Sequence, residues 1–255
     1  MDATRLHDGK RVMLKKVLPE EGPYELQISR FFSSGEVATN SRNHCVPLLD
    51  VIKLPNSGQQ LMVMPFLRPF NNPRFQTFGE FAAFFNQVSE VSSLFPGLGI
   101  IGADWLPIRA FNLCTSEVSH TGSHRLWSLA RRDLISRTFR DCTANNIMLD
   151  SSEMYPNGFH PTQINRRSDF NGRAKRYTRT QRPPHYYLID FGLSRRYASR
   201  AAFDEPLRGG DRTAPEHQRG GPCNPFQTDI YYLGNLVREE FIRVTSQPPR
   251  ILTRC

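Results

Sequence analysis

The sequence predicts an α+β fold in which a small antiparallel β part precedes a mainly helical part. The first third of the chain alternates apolar and polar residues as strands do, with one helical stretch among them. Two apolar runs on either side of turn residues predict a hairpin, and the spacing of apolar residues becomes helical from Thr77 onward.

The first predicted elements are a strand and a helix. The strand covers Arg11–Val17, whose apolar residues alternate along the chain. The helix covers Tyr24–Phe32, where Tyr24, Ile28 and Phe31 have the spacing of one helical face, and a Ser-Ser-Gly turn ends it. Both predictions rest on the period of apolar residues, about 2 for a strand and about 3.6 for a helix.

A hairpin and a second helix follow. The apolar runs Cys45–Leu54 and Gln60–Leu67 flank an Asn-Ser-Gly turn at 56–58, which is the pattern of two paired strands. The second helix is predicted from Thr77, because apolar side chains recur there at i, i+3, i+4 and i+7. These side chains are Phe78, Phe81, Ala82 and Phe85.

Composition excludes several classes of protein. With 38% hydrophobic and 22% charged residues in 255, the chain is too apolar to be wholly disordered and too polar for a membrane bundle. No uninterrupted apolar run is long enough to span a bilayer, and the first ten residues lack the apolar core of a signal peptide. The five cysteines form no CxxC pair, which favours a reducing, intracellular compartment, the cytoplasm or the nucleus.

The positive charge is concentrated in one region. The net charge is +9, and the stretch from His160 to Arg200 holds ten basic residues and two acidic ones. Most of these basic residues fall in the second of two stretches without sustained periodicity, which we predict as irregular inserts over 94–138 and 151–185. Such a charge run indicates either a nucleic-acid or membrane-surface footprint or a solvated, flexible insert, and we favour the insert.

Two short motifs point to phosphate chemistry. Asp141 and Asn146 lie five residues apart on a loop that precedes a short apolar run, and an Asp and an Asn at this spacing can orient a hydroxyl and coordinate Mg²⁺. An apolar strand later ends in Asp190-Phe191-Gly192, where the carboxylate at the strand end can chelate Mg²⁺ between phosphates. The tripeptide Ala214-Pro215-Glu216 then follows, and all of these motifs in this order are hardly accidental.

Together these residues resemble the eukaryotic-type protein kinases, and most closely the divergent kinase-like proteins of mushroom-forming fungi. The resemblance implies a two-lobed fold, with a partial small lobe over 1–66 and a partial, mainly helical lobe over 67–255. It also implies ATP and Mg²⁺ as cofactors. Five segments of the chain carry the resemblance: VMLK at Val12–Lys15, RDCTANNIMLD at Arg140–Asp150, YYLIDFGLSRRY at Tyr186–Tyr197, APE at Ala214–Glu216 and DIYYLGN at Asp229–Asn235.

The resemblance assigns the residues that would bind the phosphates of ATP. Lys15 stands where the family's strand lysine contacts the α- and β-phosphates. Glu25, on the following helix, would hold Lys15 in place. Because only ten residues separate the two, Glu20 and Glu21 remain alternatives.

The resemblance also assigns the catalytic, metal and adenine-binding positions. Asp141 would be the catalytic base, and Asn146 and Asp190 would be the ligands of Mg²⁺. Met64 and Phe66 would lie in the hinge segment along which the adenine ring binds, with Met64 at the gatekeeping position.

Further positions would have structural and regulatory roles. Phe191 would pack beneath the phosphate site, Asp229 would bond to the backbone of the catalytic loop, and Glu216 would anchor the end of the activation segment. The acceptors of a regulatory phosphate would be Ser199 and Thr213. Three arginines would read that phosphate: Arg140, Arg195 and Arg196.

The sequence departs from the family pattern at several points. The family's glycine-rich phosphate loop is missing, since Gly9 is the only glycine before Val12. Phe139 stands in place of the usual histidine before the catalytic loop. After Asp229 the chain is shorter than the family's large lobe, which suggests a truncated product of a kinase gene.

The leading functional prediction is ATP-dependent phosphoryl transfer to the Ser, Thr or Tyr hydroxyls of a protein substrate. An alternative is a catalytically impaired pseudokinase or interaction scaffold, favoured by the missing glycine-rich loop. We regard binding to nucleic acid as unlikely, because the basic run lacks the interleaved aromatic residues of single-strand binders, and we expect no membrane partner. The sequence leaves the oligomeric state open.

Overall fold

The computed structural model describes residues 1–94, 136–198 and 201–243, apart from 19, 21, 56, 57, 208 and 210. The insert predicted at 94–138 therefore lies almost wholly outside the described residues, as do the chain end and Ser199. The strands are β1 (Asp2–Thr4), β2 (Arg11–Val17), β3 (Asp50–Lys53), β4 (Gln60–Pro65), β5 (Arg68–Pro69), β6 (Ser136–Thr138), β7 (Ile147–Asp150), β8 (His185–Leu188) and β9 (Arg195–Tyr197). The helices are α1 (Glu25–Phe32), α2 (Gly35–Ala38), α3 (Phe78–Leu94), α4 (Pro215–Arg219) and α5 (Pro225–Val237), and the five residues after α5 form a π turn.

The fold is α+β, with small antiparallel sheets, as the sequence predicts. The first sheet has the strand order β1-β2-β4-β3, and all of its pairs are antiparallel. Strand β2 has the predicted bounds, and its ends are fixed in the core by Val12 and Val17, which are buried. Lys15 lies opposite Met62 of β4, so β2 places this cation on a strand that is paired on both sides.

The predicted hairpin forms, but its first strand is shorter than the apolar run suggested. Pairing with β4 covers only Asp50–Lys53, whereas the prediction began at Cys45. Cys45 instead makes a parallel bridge to Leu188 at the end of β8, and the backbone N–H of Val46 donates to the Leu188 carbonyl at 2.9 Å. The apolar run therefore contributes to two sheets. Its first residues bond to the end of β8, and Asp50–Lys53 pair with β4 in the first sheet.

Helix α1 forms where it was predicted, but it buries a different face. The residues that face the core are Glu25, Ile28, Ser29 and Phe32. Tyr24 and Phe31, which the apolar spacing had placed on the buried face, are 41% and 37% exposed. The helix is turned by about one residue because the Glu25 carboxylate reaches inward to Lys15, a charge pairing that apolar periodicity cannot register.

Helix α3 also buries a face that is shifted from the predicted one. Phe84 is fully buried between Phe70 and Tyr186, with ring centroids 4.9 Å from each. Val88, one turn further on, is buried as well, whereas Phe78 at the first position of the helix is 63% exposed. The predicted stripe from Phe78 was therefore wrong at its start, where the helix has not yet reached the core.

The second sheet and a short ribbon bring the motif-bearing loops together. Strands β5, β7 and β8 form an antiparallel sheet, and β6 pairs with β9. Strand β7 follows the loop that carries Asp141 and Asn146, and β8 leads directly into Asp190. The backbone N–H of Ile189 donates to the Asn146 carbonyl at 2.9 Å, so the two motifs lie side by side.

The basic stretch between β7 and β8 contains no helix or strand, as predicted, but much of it is packed against the core. Met154, Tyr155 and Phe159 are buried within the main apolar cluster. Arg68 of β5 is fully buried between the Tyr155 and Phe159 rings, with its guanidinium carbon 4.5 Å from each centroid. Within the charge run from His160 to Arg200, the expectation of a solvated insert is wrong for Arg179, which is 3% exposed.

Buried residues from both sides of position 66 belong to one apolar cluster. It includes residues of β2, α1 and β4 as well as residues of α3, β7 and β8. None of the helices in the described ranges combines the length and the apolar character needed to cross a bilayer.

Candidate functional site

Three of the residues singled out from the sequence meet around one ammonium group. Lys15 extends from β2, Glu25 from the first turn of α1, and Asp190 follows β8. The Lys15 Nζ donates to Glu25 Oε1 at 2.5 Å and to Asp190 Oδ1 at 2.7 Å. Residues that are 175 positions apart are thus joined, and Glu25 pairs with Lys15 as predicted, whereas the alternative Glu21 lies outside the described residues.

The environment of this cluster favours a charged lysine. Burial alone would lower the pKa of Lys15, but the negative charges and hydrogen bonds of Glu25 and Asp190 outweigh it and raise that pKa. Burial raises the pKa of the Glu25 carboxyl, and the charge of Lys15 opposes this rise. Asp190 is about half exposed, so the open side of the cluster is the side of its carboxylate.

Asp190 holds its position through an unusual backbone conformation. Its φ is +63°, in the left-handed region that side chains other than glycine seldom adopt. Its Oδ1 also accepts the backbone N–H of Gly192 at 3.1 Å, which closes the turn after β8. Such conformations persist only where the surroundings enforce them, and they are concentrated at functional sites.

The loop before β7 is organised around Asp141 and Asn146. The Asn146 Nδ2 donates to the Asp141 carbonyl at 2.9 Å and to Asp141 Oδ2 at 2.8 Å. Because the amide nitrogen is used in this way, the amide oxygen of Asn146 is the atom left to accept a bond or to ligate a cation. The predicted pair is therefore assembled, with its carboxylate and its amide in contact.

Asp229 of α5 holds the start of this loop through hydrogen bonds to its backbone. This fully buried carboxylate accepts the backbone N–H groups of Phe139 at 2.8 Å and Arg140 at 2.7 Å. The bonds to the loop backbone that the sequence predicted are thus confirmed. Burial raises the pKa of Asp229 to about 7, although the two N–H bonds oppose the rise.

Phe191, the residue after Asp190, is buried in the core. It is 1% exposed, and its ring lies 6.1 Å from Phe32 of α1 and 5.4 Å from Phe139. Phe139 therefore supplies an apolar wall between Phe191 and the start of the loop. The aromatic stack connects α1, the loop and the Asp190 turn.

Arg140 makes contacts that the sequence analysis missed. The sequence predicted that this arginine reads a phosphate, but its buried guanidinium pairs with the Asp204 carboxylate. It also donates to the Tyr197 hydroxyl at 2.6 Å and to the carbonyl of Glu205. Nothing local in the sequence marks Asp204, rather than the adjacent Glu205, as the partner of an arginine 64 positions away.

The segment after Asp204 passes over Asp141. A methyl group added to Gly209 would lie 2.6 Å from Asp141 Oδ1, so only glycine fits there without a shift. Thr213, one of the predicted phosphate acceptors, donates through Oγ1 to Asp211 at 2.7 Å. The other, Ser199, lies outside the described residues.

The remaining predicted positions have structural contacts. Glu216 accepts the Thr228 hydroxyl at 2.5 Å, which links α4 to α5. Met64 is 8% exposed and lies opposite Met13 in the first sheet. Phe66 is partly buried, and its ring lies 6.0 Å from Phe159 of the basic stretch. Both hinge candidates therefore contact the apolar core.

Asn146 and Asp190 are the residues that the sequence analysis expects to ligate Mg²⁺. Both offer oxygen atoms, which Mg²⁺ prefers, and Mg²⁺ commonly takes one or two protein ligands together with phosphates and water. Within the described part of the chain, no group of three or more His, Cys, Asp or Glu side chains could hold a metal by itself. A cation here would thus need a phosphate-bearing ligand to complete its coordination.

Comparison with known proteins finds no match for this chain among models of protein families or among curated proteins.

Proposed function

We propose that the chain has a two-lobed protein-kinase-like fold and that it transfers the γ-phosphoryl group of ATP to hydroxyl groups of a protein. The single observation that carries this proposal is the meeting of Lys15, Glu25 and Asp190, which come from three different elements. A half-exposed carboxylate beside a lysine held by a buried glutamate is an arrangement suited to a metal-bound polyphosphate.

The two lobes follow from the position of the hinge. Strands β1–β4 and helices α1 and α2 would belong to the small lobe over 1–66, and the larger lobe would begin at residue 67. Met64 and Phe66, at the junction, would line the adenine side of the cleft between them. The continuous apolar cluster across the junction supports a fixed relation between the lobes.

The nucleotide would be held by its phosphates. Lys15 would contact the α- and β-phosphates, with Glu25 fixing the direction of its ammonium group. Mg²⁺, held by Asp190 and the amide oxygen of Asn146, would neutralise charge on the phosphates. Binding would replace the contact between Lys15 and Asp190, because both groups would then turn towards the ligand.

Asp141 would act on the substrate hydroxyl. Its carboxylate would orient the hydroxyl and accept its proton while the oxygen forms a bond to the γ-phosphorus. The bond from that phosphorus to the bridging oxygen would break, and ADP would leave. Asn146 holds the carboxylate of Asp141 through Oδ2, and Asp229 holds the backbone before it, so the base would be preorganised.

A second candidate function is a scaffold that binds nucleotide without transferring phosphate. The observation that favours it is the close approach of Gly209 to Asp141, since the backbone of this segment covers one oxygen of the proposed base. A substrate hydroxyl could reach that oxygen only if the segment moved.

A transfer assay with γ-³²P-labelled ATP, Mg²⁺ and a mixture of Ser-, Thr- and Tyr-containing peptides tests the proposal. We expect wild-type label transfer to fall by at least 100-fold in Asp141→Asn, the loss that general-base catalysis commonly supplies. The matched control is Asp150→Asn in β7, which should retain transfer. Equal transfer by wild type and Asp141→Asn would contradict the proposed role, and nucleotide binding without any transfer would support the scaffold.

A further inference from the structure

The basic stretch between β7 and β8 forms a small projecting hairpin. Residues 165 and 174 bond through the Ala174 N–H and the Asn165 carbonyl at 3.0 Å, and Arg166 and Arg173 make an antiparallel bridge. The Arg167 N–H then donates to the Gly172 carbonyl at 3.2 Å. We name this hairpin and the residues that follow it, 165–182, the basic ledge.

Six of the seven cations of the basic ledge are exposed, and most of them lack acidic neighbours. Among the described residues, the one ion pair within the basic ledge joins Arg167 to Asp169 at 3.1 Å. The exposed cations are Arg166, Arg167, Arg173, Lys175, Arg176 and Arg182.

These cations repel one another. Arg166 and Arg173 are direct partners across the bridge, and like charges in that position destabilise a strand pair. The positive charge of Arg176 also adds to the effect of burial in lowering the pKa of Arg68 and of Arg179. A polyanion that neutralises several of them at once would relieve this repulsion.

Two aromatic rings are exposed among the same cations. Phe170, at the hairpin tip, is 49% exposed and adopts a φ of +60°, and its ring lies 4.0 Å from that of His160. Tyr177 is 43% exposed, and the Arg182 guanidinium carbon lies 5.4 Å from its ring centre. The interleaving of aromatic and basic side chains, which the sequence analysis had overlooked, is therefore present.

The base of the ledge is rigidly attached to the core. Arg68 donates to the Ile164 carbonyl at 2.6 Å and to Asn165 Oδ1 at 2.8 Å. At the other end Arg179 is buried and donates to the Tyr186 hydroxyl at 2.5 Å and to the Phe70 carbonyl at 2.6 Å. Anchoring at both ends reduces the conformational entropy that a ligand would have to remove.

From these observations we propose that the basic ledge binds single-stranded nucleic acid. Its arginines would contact the phosphates, and the rings of Phe170 and Tyr177 would stack on unpaired bases. An acidic protein would use the same charges but would gain little from exposed aromatic rings, so the rings favour nucleic acid. This inference does not depend on the proposed kinase activity.

Fluorescence anisotropy of the full chain with a labelled 20-nucleotide poly(U) strand, measured over a series of KCl concentrations, tests the proposal. Contact with about six phosphates predicts that log K falls with log salt at a slope of about −4. Replacement of both Arg166 and Arg173 by Ser should reduce the slope to about −3, and removal of this like-charge pair should leave thermal stability unchanged or higher.

The aromatic contribution separates this proposal from general charge attraction. Phe170→Ala should weaken binding by about 5-fold or more without changing the salt slope, because stacking does not involve counterions. The matched controls are Phe203→Ala, which removes a ring that is 71% exposed elsewhere, and Arg42→Ser, which removes an exposed cation of another region. Neither should change binding by more than twofold.

Two results would overturn the proposal. One is equal binding by wild type and by the Arg166, Arg173 and Phe170 variants. The other is displacement of poly(U) by polyglutamate of the same total charge as effectively as by unlabelled poly(U), which would show a surface for acidic protein instead.

Discussion

Arg140 and Asp190 show how contacts hold single residues in an unusual backbone conformation. Both are non-glycine residues with positive φ, at +62° and +63°, a conformation that costs on the order of 1 kcal/mol or more at each residue. Arg140 is held from both sides, by Asp229 on its backbone and by Asp204 on its guanidinium. Asp190 is held by Lys15 and by the turn after β8, so in each case several contacts offset the backbone strain.

The buried carboxyl of Asp229 makes the stability of the protein depend on pH. In the unfolded chain an Asp releases its proton near pH 4, whereas burial raises the pKa of Asp229 to about 7 in the folded protein. Between these values the folded state binds more protons, so raising the pH from 4 to 7 should lower the free energy of unfolding. The loss should be on the order of 3 kcal/mol.

Urea denaturation at pH values between 4.5 and 7.5 checks this prediction. Asp229→Asn cannot titrate, so its stability should vary less with pH than that of wild type over this range. Glu36→Gln removes an exposed carboxyl in α2 and should leave the wild-type pH dependence intact. Identical pH profiles for wild type and Asp229→Asn would show that Asp229 is not the group responsible.

At the scale of elements, the helices are placed by contacts that apolar spacing does not reveal. The spacing located α1 and α3 within a residue or so, because helical periodicity is a local property. It misidentified their buried faces, since Glu25 and Ser29 occupy the buried stripe of α1 and Tyr24 lies outside it. The partner that draws Glu25 inward is on another strand, and a single sequence does not show that pairing.

Helix α3 offers a direct test of its buried face. Phe84→Ala should lower the free energy of unfolding by about 3–5 kcal/mol, because it removes a fully buried ring between Phe70 and Tyr186 and leaves a cavity. Phe78→Ala changes the same residue type in the same helix, but at an exposed position, and should cost no more than about 0.5 kcal/mol. Guanidinium denaturation of both variants measures the difference.

The reverse order of the two effects would contradict the assignment of the buried face. A loss of unfolding free energy of similar size in both variants would contradict it too, because the ring of Phe78 would then have to be packed although it is 63% exposed.

At the scale of the whole molecule, the contacts among motif residues could be expected from the sequence better than their surroundings. Asp141, Asn146 and Asp190 belong to short motifs that neighbouring residues make readable, and the pairing of Lys15 with Glu25 was expected from the resemblance alone. The contacts of Arg68, Arg140 and Arg179 could not be expected, because their partners are backbone carbonyls, rings and acids that only the folded chain brings near. The same limit explains why Arg179 was expected to be solvated with the rest of the charge run.

We propose above that the cluster of Lys15, Glu25 and Asp190 binds the phosphates of Mg·ATP. Calorimetric titration with ATP, with and without Mg²⁺, tests this binding in wild type, Lys15→Met, Asp190→Asn and Lys16→Met. Lys16 is the matched control, because it is the adjacent lysine on β2 and is exposed.

We expect wild type and Lys16→Met to bind ATP more tightly with Mg²⁺ than without it. Lys15→Met should weaken this binding by at least 10-fold, since it removes a charge-assisted bond worth about 1.5 kcal/mol or more, and Asp190→Asn should abolish the dependence on Mg²⁺. Equal affinities for all four proteins, or the absence of Mg²⁺-dependent binding in wild type, would contradict the claim.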